Sequence, residues 1–519
     1  MSLLQPLAGH TLDANAMHTA TAEFRTPLPQ RHLRRAVALP VSLSSPSKLS
    51  IERQLADQLR QLIKHGALSA GARLPSSRML AEDLGCSRTP IVAAYDRLVA
   101  EGYLLSRPRS GLQVADGMTA SPSASSSRRL ALSPVLGVSE RGRELADTHH
   151  RLGQRMGTMP GHPSIEGFPF EVWGSLCARV WRRPTSGLVW GDDAAGYLPL
   201  RQAIANHLRV VRGLVCDAEQ IIVTSGTRHG ADLAARVLLD PGDEVAIEDP
   251  GGSAWQILSS QAAALRPVPV DDEGIDVDDL ARRAPGARMV AVTPSHQFPT
   301  GVAMSHARRL ALLERARCHS MWILEDDSGS EFQYSGEPIS TLKSLDEDER
   351  VIYLGTFSKS MFPSLRLGFM VLPRHLVDTF VRARSTVDGF PPMLLQPVMA
   401  TFLEEGHLAR HLRNMRRLYK ARHASLVDAM LRHFGDRIQI VPTRGGLTLS
   451  VMLREGCDVE MAGNARACGL SAYPISAAAL ESTPRQGLVL GLAEVPEDQV
   501  DSLVARFAAM SHASRSGNA

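Results

Sequence analysis

The chain has 519 residues, which is too long for one ordinary hydrophobic core and predicts two or three domains. Hydrophobic residues make up 44% of the sequence and charged residues 21%, a balance typical of globular proteins. There are 57 Lys and Arg against 54 Asp and Glu, so the formal charge is only +3. Any surface that binds nucleic acid therefore has to be local.

The cysteines and apolar runs are typical of a cytoplasmic protein. The six cysteines are scattered, without the Cys-x-x-Cys or Cys/His spacing of a zinc site, and are expected to be reduced thiols. No apolar run approaches the roughly 18 residues that span a bilayer. The N-terminus lacks a basic segment followed by an apolar core, the pattern of a secretory signal. We therefore expect cytoplasmic localisation, no membrane contact and no metal site.

Two stretches without a core pattern divide the chain. Residues 1–47 carry Pro, Ser, Ala and the basic cluster RHLRR without sustained periodicity, and we interpret them as a flexible N-terminal extension. Residues 116–150 begin with a run of Ser, Pro and Ala that is typical of a linker. The segments between and after these stretches predict a small domain over 48–115 and a large α/β domain over 151–512, in which strands alternate with helices.

The small domain has the pattern of a helix-turn-helix. An apolar stripe at helical spacing begins at Ile51, and Gly66 is placed to end that helix. In LPSSRMLAEDLG two serines precede a second helix that Gly85 stops, and Ser87 is placed to cap a third. The segment GYLLSRPRSGLQVA follows as strand, basic turn and strand. Together these elements predict a helix-turn-helix followed by a wing.

Basic residues are in excess in this small domain. From Lys48 to Ala115 there are ten Lys or Arg against six Asp or Glu, and the wing contributes Arg107 and Arg109. This local excess of positive charge lies where contacts with phosphate groups are needed. The alternative interpretation is a small helical domain that binds another protein.

The stretch LPSSRMLAEDLGCSRTPIVAAYDRLVAEGYL resembles the winged helix of GntR-type regulators over about 65 residues. It has that family's Leu-Pro-Ser, Arg-x-Leu-Ala, Leu-Gly, Ser-Arg and Leu-x-x-Glu-Gly positions. The resemblance implies binding to a double-stranded DNA operator, with contacts from Arg78 and Arg88 and with Gly111 shaping the tip of the wing. It also implies that Ser76, Ser87 and Thr89 reach phosphates or base edges.

In the large domain, chemically distinctive residues follow strand-like runs. Ser225, Gly226 and Thr227 lie between a strand and a helix, where backbone N–H groups can bind a phosphate. The run MWILEDDSG is a buried strand ending in acids, and Lys359 follows the strand-like VIYL, with Arg366 seven residues later. Pyridoxal 5'-phosphate requires such a set: a reactive lysine, a carboxylate for its ring nitrogen and donors for its phosphate.

Five segments of the large domain together resemble a fold-type I aminotransferase domain. They are GYLPLRQAIANHL, IIVTSGTRHGADLAARVLLDPGDEV, TPSHQFPTG, ILEDD and YLGTFSKSMFPSLRLGFMVLP. A GntR-type domain followed by an aminotransferase-like domain is the domain order of the MocR-type subfamily of GntR regulators, which this chain therefore resembles. The resemblance implies that Lys359 forms a Schiff base with the cofactor and that Asp326 pairs with its pyridine nitrogen. It assigns the phosphate to Arg366 with Ser225, Gly226 and Thr227.

The sequence departs from the subfamily pattern at three positions. Ser328 and Gly252 stand where the subfamily commonly has tyrosines that contact the cofactor, and Arg228 stands where glutamine is usual. For the carboxylate of a substrate, Arg485 lies just before the strand in which fold-type I enzymes carry the arginine, and the alternative interpretation is a surface arginine.

Three functions remain open from the sequence. The first is a transcription regulator whose aminotransferase-like domain senses the cofactor or its adduct with a small amine or amino acid. The second is an active aminotransferase that carries a DNA-binding head, and the third is a cofactor-free dimerisation scaffold. The resemblance implies a homodimer in each case.

Overall fold

The computed structural model describes residues 39–43, 49–107, 111–116, 137–139, 141–143, 146, 160–191, 193–334, 336, 340–493 and 497–516. The chain divides into two compact units, Met1–Leu136 and Gly137–Ala519, each with its own core. Much of the predicted N-terminal extension and most of the predicted linker lie outside the described residues.

The first unit is three helices and a two-stranded antiparallel hairpin. Its elements are α1 (Ile51–Lys64), α2 (Ser77–Asp83), α3 (Arg88–Ala100), β1 (Leu104–Arg107) and β2 (Gly111–Val114). The apolar stripe of α1 packs on α3 because its buried side chains recur at helical spacing and so share one face. The predicted helix-turn-helix and wing are both present.

The second unit begins with helices and continues as alternating strands and helices. Its helices are α4 (Phe170–Trp181), α5 (Ser186–Trp190), α6 (Leu198–Arg212), α7 (Thr227–Leu238), α8 (Val277–Arg283), α9 (His306–Cys318), α10 (Leu342–Leu345), α11 (Val377–Asp388), α12 (Gln396–Glu404), α13 (His407–Phe434), α14 (Asp458–Ala467) and α15 (Val500–Ser516). Its strands are β3 (Ile221–Thr224), β4 (Glu244–Asp249), β5 (Ala264–Asp271), β6 (Gly274–Ile275), β7 (Met289–Val292), β8 (Trp322–Asp326), β9 (Val351–Thr356), β10 (Gly368–Val371), β11 (Ile438–Ile440), β12 (Thr448–Leu453), β13 (Ala472–Pro474) and β14 (Gly487–Gly491).

The central sheet has eight strands in the order β3-β10-β9-β8-β7-β4-β5-β6. Strands β9, β8, β7, β4 and β5 are parallel, whereas β10 runs antiparallel to both β9 and β3. The carboxyl ends of β3, β4, β7, β8 and β9 therefore meet at one edge of the sheet. In a sheet of this kind that edge is where ligands bind.

A second sheet has four antiparallel strands in the order β11-β12-β14-β13. The loop between β11 and β12 contacts the segment after β8, because Gly445 pairs with Gln333 in an isolated bridge. Among the described residues, no helix has both the length and the apolar character needed to cross a membrane.

Candidate functional site

The start of α3 presents polar side chains to solvent. Ser87 is the N-cap of α3 but makes no side-chain capping hydrogen bond, whereas Ser76 accepts one from the Met79 N–H at 3.3 Å. Arg88 is exposed, and its Nε donates to Ser77 Oγ at 2.9 Å, which ties α3 to α2. The Ser87 hydroxyl is therefore available to a ligand.

Some arginines of the first unit are paired and others are not. Arg60 and Arg97 form ion pairs with Glu101, which offset their charges. Arg78 and Arg88 are exposed and have no carboxylate partner among the described residues of this unit. Exposed positive charge without a carboxylate partner is thus present at the helix-turn-helix, where the resemblance places the DNA contacts.

The wing is described in part. Arg107 ends β1, and Gly111 begins β2 with φ +76°, a left-handed conformation that favours glycine. Arg109 lies between them, outside the described residues.

Lys359 lies in the turn after β9, at the carboxyl edge of the central sheet. Its Nζ donates to the Ser328 carbonyl at 3.2 Å, and a Cβ added to Gly329 would come within 3.2 Å of Lys359 Cδ. The segment after β8 thus approaches the lysine with its backbone. The hydrogen bond to the Ser328 carbonyl orients the amine.

The consecutive acids Glu325, Asp326 and Asp327 lie at the end of β8, and their side chains point in different directions. Asp326 lies near Lys359: burial raises the Asp326 pKa, and the positive lysine acts in the opposite direction. Glu325 turns away and accepts from the Leu342 and Lys343 N–H groups at 2.8 Å. Of the three, Asp326 is the acid placed to face a group bound at Lys359.

Gly226 and Arg366 form a cradle at the start of α7. Gly226 is the N-cap with φ +116°, and a Cβ built on it would lie 3.7 Å from Arg366 Nη1. Arg366 itself adopts a left-handed conformation at φ +49°, which is costly for a residue with a Cβ and is typical of functional sites. Ser225 and Thr227 flank the cradle, so four of the predicted residues meet at one helix N-terminus.

A cavity of about 1160 Å³ opens beside this edge. It is lined by Ser295, His296, Gly329, Ser330 and Arg485, among others. Arg485 lines the cavity as an exposed side chain, and Gly329, which approaches Lys359, lines it too, although Lys359 itself does not. Burial lowers the pKa of His296 to about 4, so this ring is neutral at physiological pH.

Two of the departures from the subfamily pattern follow strands of the central sheet: Gly252 comes after β4 and Ser328 after β8. Nothing lies within 4 Å of a Cβ built on Gly252, so the missing side chain leaves open space. Ser328 contributes its carbonyl to Lys359 and its N–H to Asp326 at 2.9 Å.

Sequence reasoning missed a buried network around Asp327. Its carboxylate accepts from Arg212 Nε at 2.7 Å, from Tyr353 Oη at 2.8 Å and from the hydroxyls of Ser295 and Ser330. No short motif joins these residues, because Arg212 is 115 positions away in the chain. The one available signal was that Asp327 directly follows the acids Glu325 and Asp326 at the end of a buried strand.

The residues at this edge fit pyridoxal 5'-phosphate. At the cradle, Gly226 has a φ that favours glycine, Arg366 lies close by, and the start of α7 offers backbone N–H groups, which suits a phosphate. The amine of Lys359 and the carboxylate of Asp326 supply the remaining two groups that this cofactor requires.

Comparison with known proteins finds a matching family for each of the two units. Residues 51–114 match the gntR family of bacterial regulatory proteins, and residues 192–468 match aminotransferase class I and II. Over 477 residues, the chain is 38% identical to the probable rhizopine catabolism regulatory protein MocR of Rhizobium meliloti, covering 90% of this chain and 96% of that protein.

Two further similarities bear on the two units. The chain is 32% identical to the pyridoxine biosynthesis transcriptional regulator PdxR of Corynebacterium glutamicum, over 79% of this chain and 84% of that one. A crystal structure of Pyrococcus horikoshii kynurenine aminotransferase, in complex with PMP, aligns with a TM-score of 0.63 and 27% identity. That alignment covers 73% of this chain and 96% of the aminotransferase.

Proposed function

The chain belongs to the MocR-type subfamily of GntR transcription regulators, and from this membership we propose a function for each of its two units. It is a DNA-binding transcription regulator with an aminotransferase-like domain of fold type I. Residues 48–115 bind the operator, residues 151–512 bind pyridoxal 5'-phosphate and a small ligand, and residues 116–150 link them.

The first unit contacts DNA through α3, the turn before it and the wing. Arg78 and Arg88 supply the positive charge, and the guanidinium group can bind a phosphate or a guanine edge through two hydrogen bonds. The free hydroxyl of Ser87 supports a phosphate contact at the start of α3. The remaining contacts are assigned to Ser76, Thr89, Arg107, Arg109 and Gly111.

In the second unit, Lys359 would hold the cofactor covalently and Asp326 would keep its ring nitrogen protonated. Ser225, Gly226, Thr227 and Arg366 bind its phosphate. When bound, the cofactor supplies a carbonyl carbon that exchanges amines and a ring that withdraws electrons. The observation that carries this proposal is the meeting of an amine, a buried carboxylate and a phosphate cradle at one edge of the sheet.

The effector is a small amine or amino acid that enters the 1160 Å³ cavity beside Lys359. Arg485 lines this cavity and takes a carboxylate where the ligand has one. Ligand control requires that the effector bind one arrangement of the protein better than another. The protein is a cytoplasmic homodimer, so that two heads meet two half-sites on the operator.

A second candidate function is transamination. The matched aminotransferase fold and the retained Lys359 and Asp326 favour it. The open space at Gly252 and the serine at 328 count against efficient turnover, because fewer side chains hold the cofactor. An aminotransferase would convert an amino acid to its keto acid over many turnovers, whereas a sensor would stop after one round.

The cofactor chemistry is tested by absorbance with added pyridoxal 5'-phosphate, followed by borohydride reduction and peptide mapping. We expect a lysine-bound absorbance band and label at Lys359, both lost in Lys359→Ala. The matched control is Lys420→Ala, an exposed lysine on α13 that should keep both. Label spread over surface lysines would overturn the cofactor assignment.

DNA binding is tested by footprinting upstream of the protein's own and neighbouring genes, with and without cofactor. Arg78→Ala should weaken binding and lower the slope of log affinity against log salt by about one. Arg97→Ala is the control, since Arg97 is already paired with Glu101 at 3.0 Å. The absence of any sequence-specific footprint under both conditions would refute the regulator.

A further inference from the structure

Arg309 is a buried arginine whose guanidinium group is only partly used by the protein. It lies in the first turn of α9, and 1% of its surface is exposed. Its Nε donates to the Met304 carbonyl at 3.2 Å and its Nη2 donates to the Pro294 carbonyl at 2.6 Å. Its Nη1 makes no hydrogen bond with any described residue. Both N–H groups on Nη1 of a buried cation are therefore without a protein acceptor.

Arg309 also lacks a counter-charge at close range. No carboxylate of the described residues forms an ion pair with it, whereas the preceding residue, Arg308, pairs with Asp271 at 2.8 Å. An arginine stays protonated in a protein, so Arg309 keeps its charge although it is buried. A buried charge without a partner is costly, and this position therefore favours an anion.

A second buried guanidinium group, that of Arg212, lies near the first. Burial lowers the pKa of Arg309 and so does Arg212, whereas Glu325 and Asp327 act in the opposite direction. Asp327 is already paired with Arg212 at 2.7 Å. Burial and the negative charge of Asp327 raise the pKa of Glu325 to about 7, so Glu325 is only partly ionised at neutral pH. The two arginines are therefore accompanied by one full negative charge and part of a second.

The cavity of about 1160 Å³ gives a ligand access to both arginines, since both line it. Arg212 and Arg309 are buried and belong to its floor, whereas Arg444 and Arg485 also line it and are exposed. Asp272 is the only acid among the described residues that line this cavity. The lining is thus positive both at the floor and at the exposed part, which attracts small anions.

The N-terminus of α9 lies at the same cavity. Met304 and Ser305, which lead into this 13-residue helix, line the cavity together with His306. The N-terminal end of a helix carries a partial positive charge and N–H groups that bind anions. The helix start and the unused Nη1 of Arg309 are therefore two independent features that favour an acid group here.

We propose that the cavity floor, formed by Arg309, Arg212 and the start of α9, binds the acid group of a small anion, with Arg309 Nη1 as the principal donor. The acid group is a carboxylate or a phosphate, since a guanidinium group binds both. It belongs either to the effector or to a free inorganic anion. The site goes beyond the function proposed above, because Lys359 does not line the cavity and the anion needs no cofactor.

The site is tested by isothermal titration calorimetry of the cofactor-free full chain with inorganic phosphate and with succinate. Phosphate also fits the cradle at Arg366, so the titrations are repeated in Arg309→Gln and in Arg366→Gln. A saturable binding step should survive in Arg366→Gln and weaken by about tenfold or more in Arg309→Gln. Arg308→Gln is the matched control, because the charge of Arg308 is already paired, and it should keep the step.

The choice of probe distinguishes the two sources of the acid group. A succinate step that depends on Arg309 supports an organic acid such as the effector, whereas a phosphate step alone supports a free inorganic anion. The diamine 1,4-diaminobutane should give no such step. A wild type that shows no saturable step, or a step that is unchanged in Arg309→Gln, would overturn the site.

A direct measurement covers the case in which Arg309→Gln does not fold. Selenate is a tetrahedral anion whose selenium scatters X-rays anomalously, so crystals of the wild type soaked in selenate show where the anion binds. A selenium peak within hydrogen-bonding distance of Arg309 Nη1 would support the site, and peaks only elsewhere, including the cradle, would overturn it.

These outcomes are separable from failure of the cofactor assignment. If Lys359 is not labelled, the cofactor assignment fails, while the titrations still decide the anion site because they contain no cofactor. If Lys359 is labelled and the only anion step is the one lost in Arg366→Gln, the present inference alone fails.

Discussion

At the scale of single residues, Asp326 and Asp327 are neighbours in the chain with different surroundings. Asp326 faces Lys359, whereas Asp327 is held by the buried Arg212 and by three hydroxyl groups. A buried charge is tolerated only when it is paired and hydrogen-bonded. Asp327 therefore fixes the end of β8, and with it the position from which Asp326 acts.

The Asp327–Arg212 pair predicts a large effect of a small change. Asp327→Asn leaves Arg212 buried without its counter-charge and should lower the free energy of unfolding by about 3–5 kcal/mol. Asp378→Asn is the control, because Asp378 and Arg382 are 82% and 81% exposed and such pairs contribute about 0–1 kcal/mol. Urea unfolding of the cofactor-free protein measures both. Equal losses in the two variants would contradict the structural role of Asp327.

Glu248 predicts a pH dependence of stability. It is buried at the end of β4, where burial raises its pKa to about 7 against the opposing effect of hydrogen bonds from Thr293 and Gln297. Between pH 4.5 and 7 the folded state keeps a proton that the unfolded state releases, so stability falls as the pH rises. In Glu248→Gln this fall should be smaller by about 1–3 kcal/mol between pH 5 and 8.

Urea unfolding at several pH values measures that difference. Glu460→Gln, at an exposed position on α14, is the control and should follow the wild type. A Glu248→Gln curve parallel to the wild type would show that the Glu248 carboxyl stays ionised in the folded protein.

The residue scale also shows which parts of the site could be predicted from sequence. Lys359, Asp326, Arg366 and the 225–227 loop each follow a strand within a few positions, so local patterns indicated them. The partners of Asp327 could not be found in this way, since Tyr353 and Arg212 lie 26 and 115 positions from it. Long-range hydrogen bonds leave no local pattern.

At the scale of elements, α2 and α3 begin with serines that do different things. The Ser76 hydroxyl is used within α2, whereas the Ser87 hydroxyl makes no capping bond in α3. An N-cap whose side chain makes no hydrogen bond to the helix contributes little to stability, so the Ser87 hydroxyl is free to bind a ligand.

This difference predicts opposite phenotypes for two serine variants. Ser76→Ala should destabilise the first unit by about 0.5–2 kcal/mol through loss of the cap. Ser87→Ala should change stability by less than about 0.5 kcal/mol and instead weaken DNA binding through loss of a phosphate contact. Thermal unfolding and fluorescence anisotropy with operator DNA separate the two effects. If Ser87→Ala bound DNA as the wild type does, the phosphate contact would be excluded.

Individual strands and helices were easier to predict from the sequence than the order of the strands in the sheet. The buried apolar runs of β3, β8 and β9 and the helical stripes of α1 and α3 indicated their own structure. The antiparallel insertion of β10 between β3 and β9 was not indicated, because strand order depends on pairings between distant segments.

At the scale of the whole molecule, DNA binding depends on the proposed homodimer. One GntR-type head offers few base contacts, so specific binding depends on two heads meeting two half-sites together. When one head is bound, the second experiences a high effective concentration of DNA, which raises the overall affinity without any new contact. A change in the dimer would therefore change operator affinity without altering α3.

Loss of the dimer should consequently remove the preference for paired half-sites. The wild type should bind DNA with two half-sites about 10²–10⁴-fold more tightly than DNA with one, since the second contact is intramolecular. Diluted below its dimer dissociation constant, the chain should instead bind both DNAs with the affinity of a single head. Sedimentation velocity locates that concentration, and anisotropy with the two duplexes above and below it measures the preference. Monomers that still preferred paired half-sites would mean that the DNA itself assembles the two heads, and cofactor control would then have to act within each protomer.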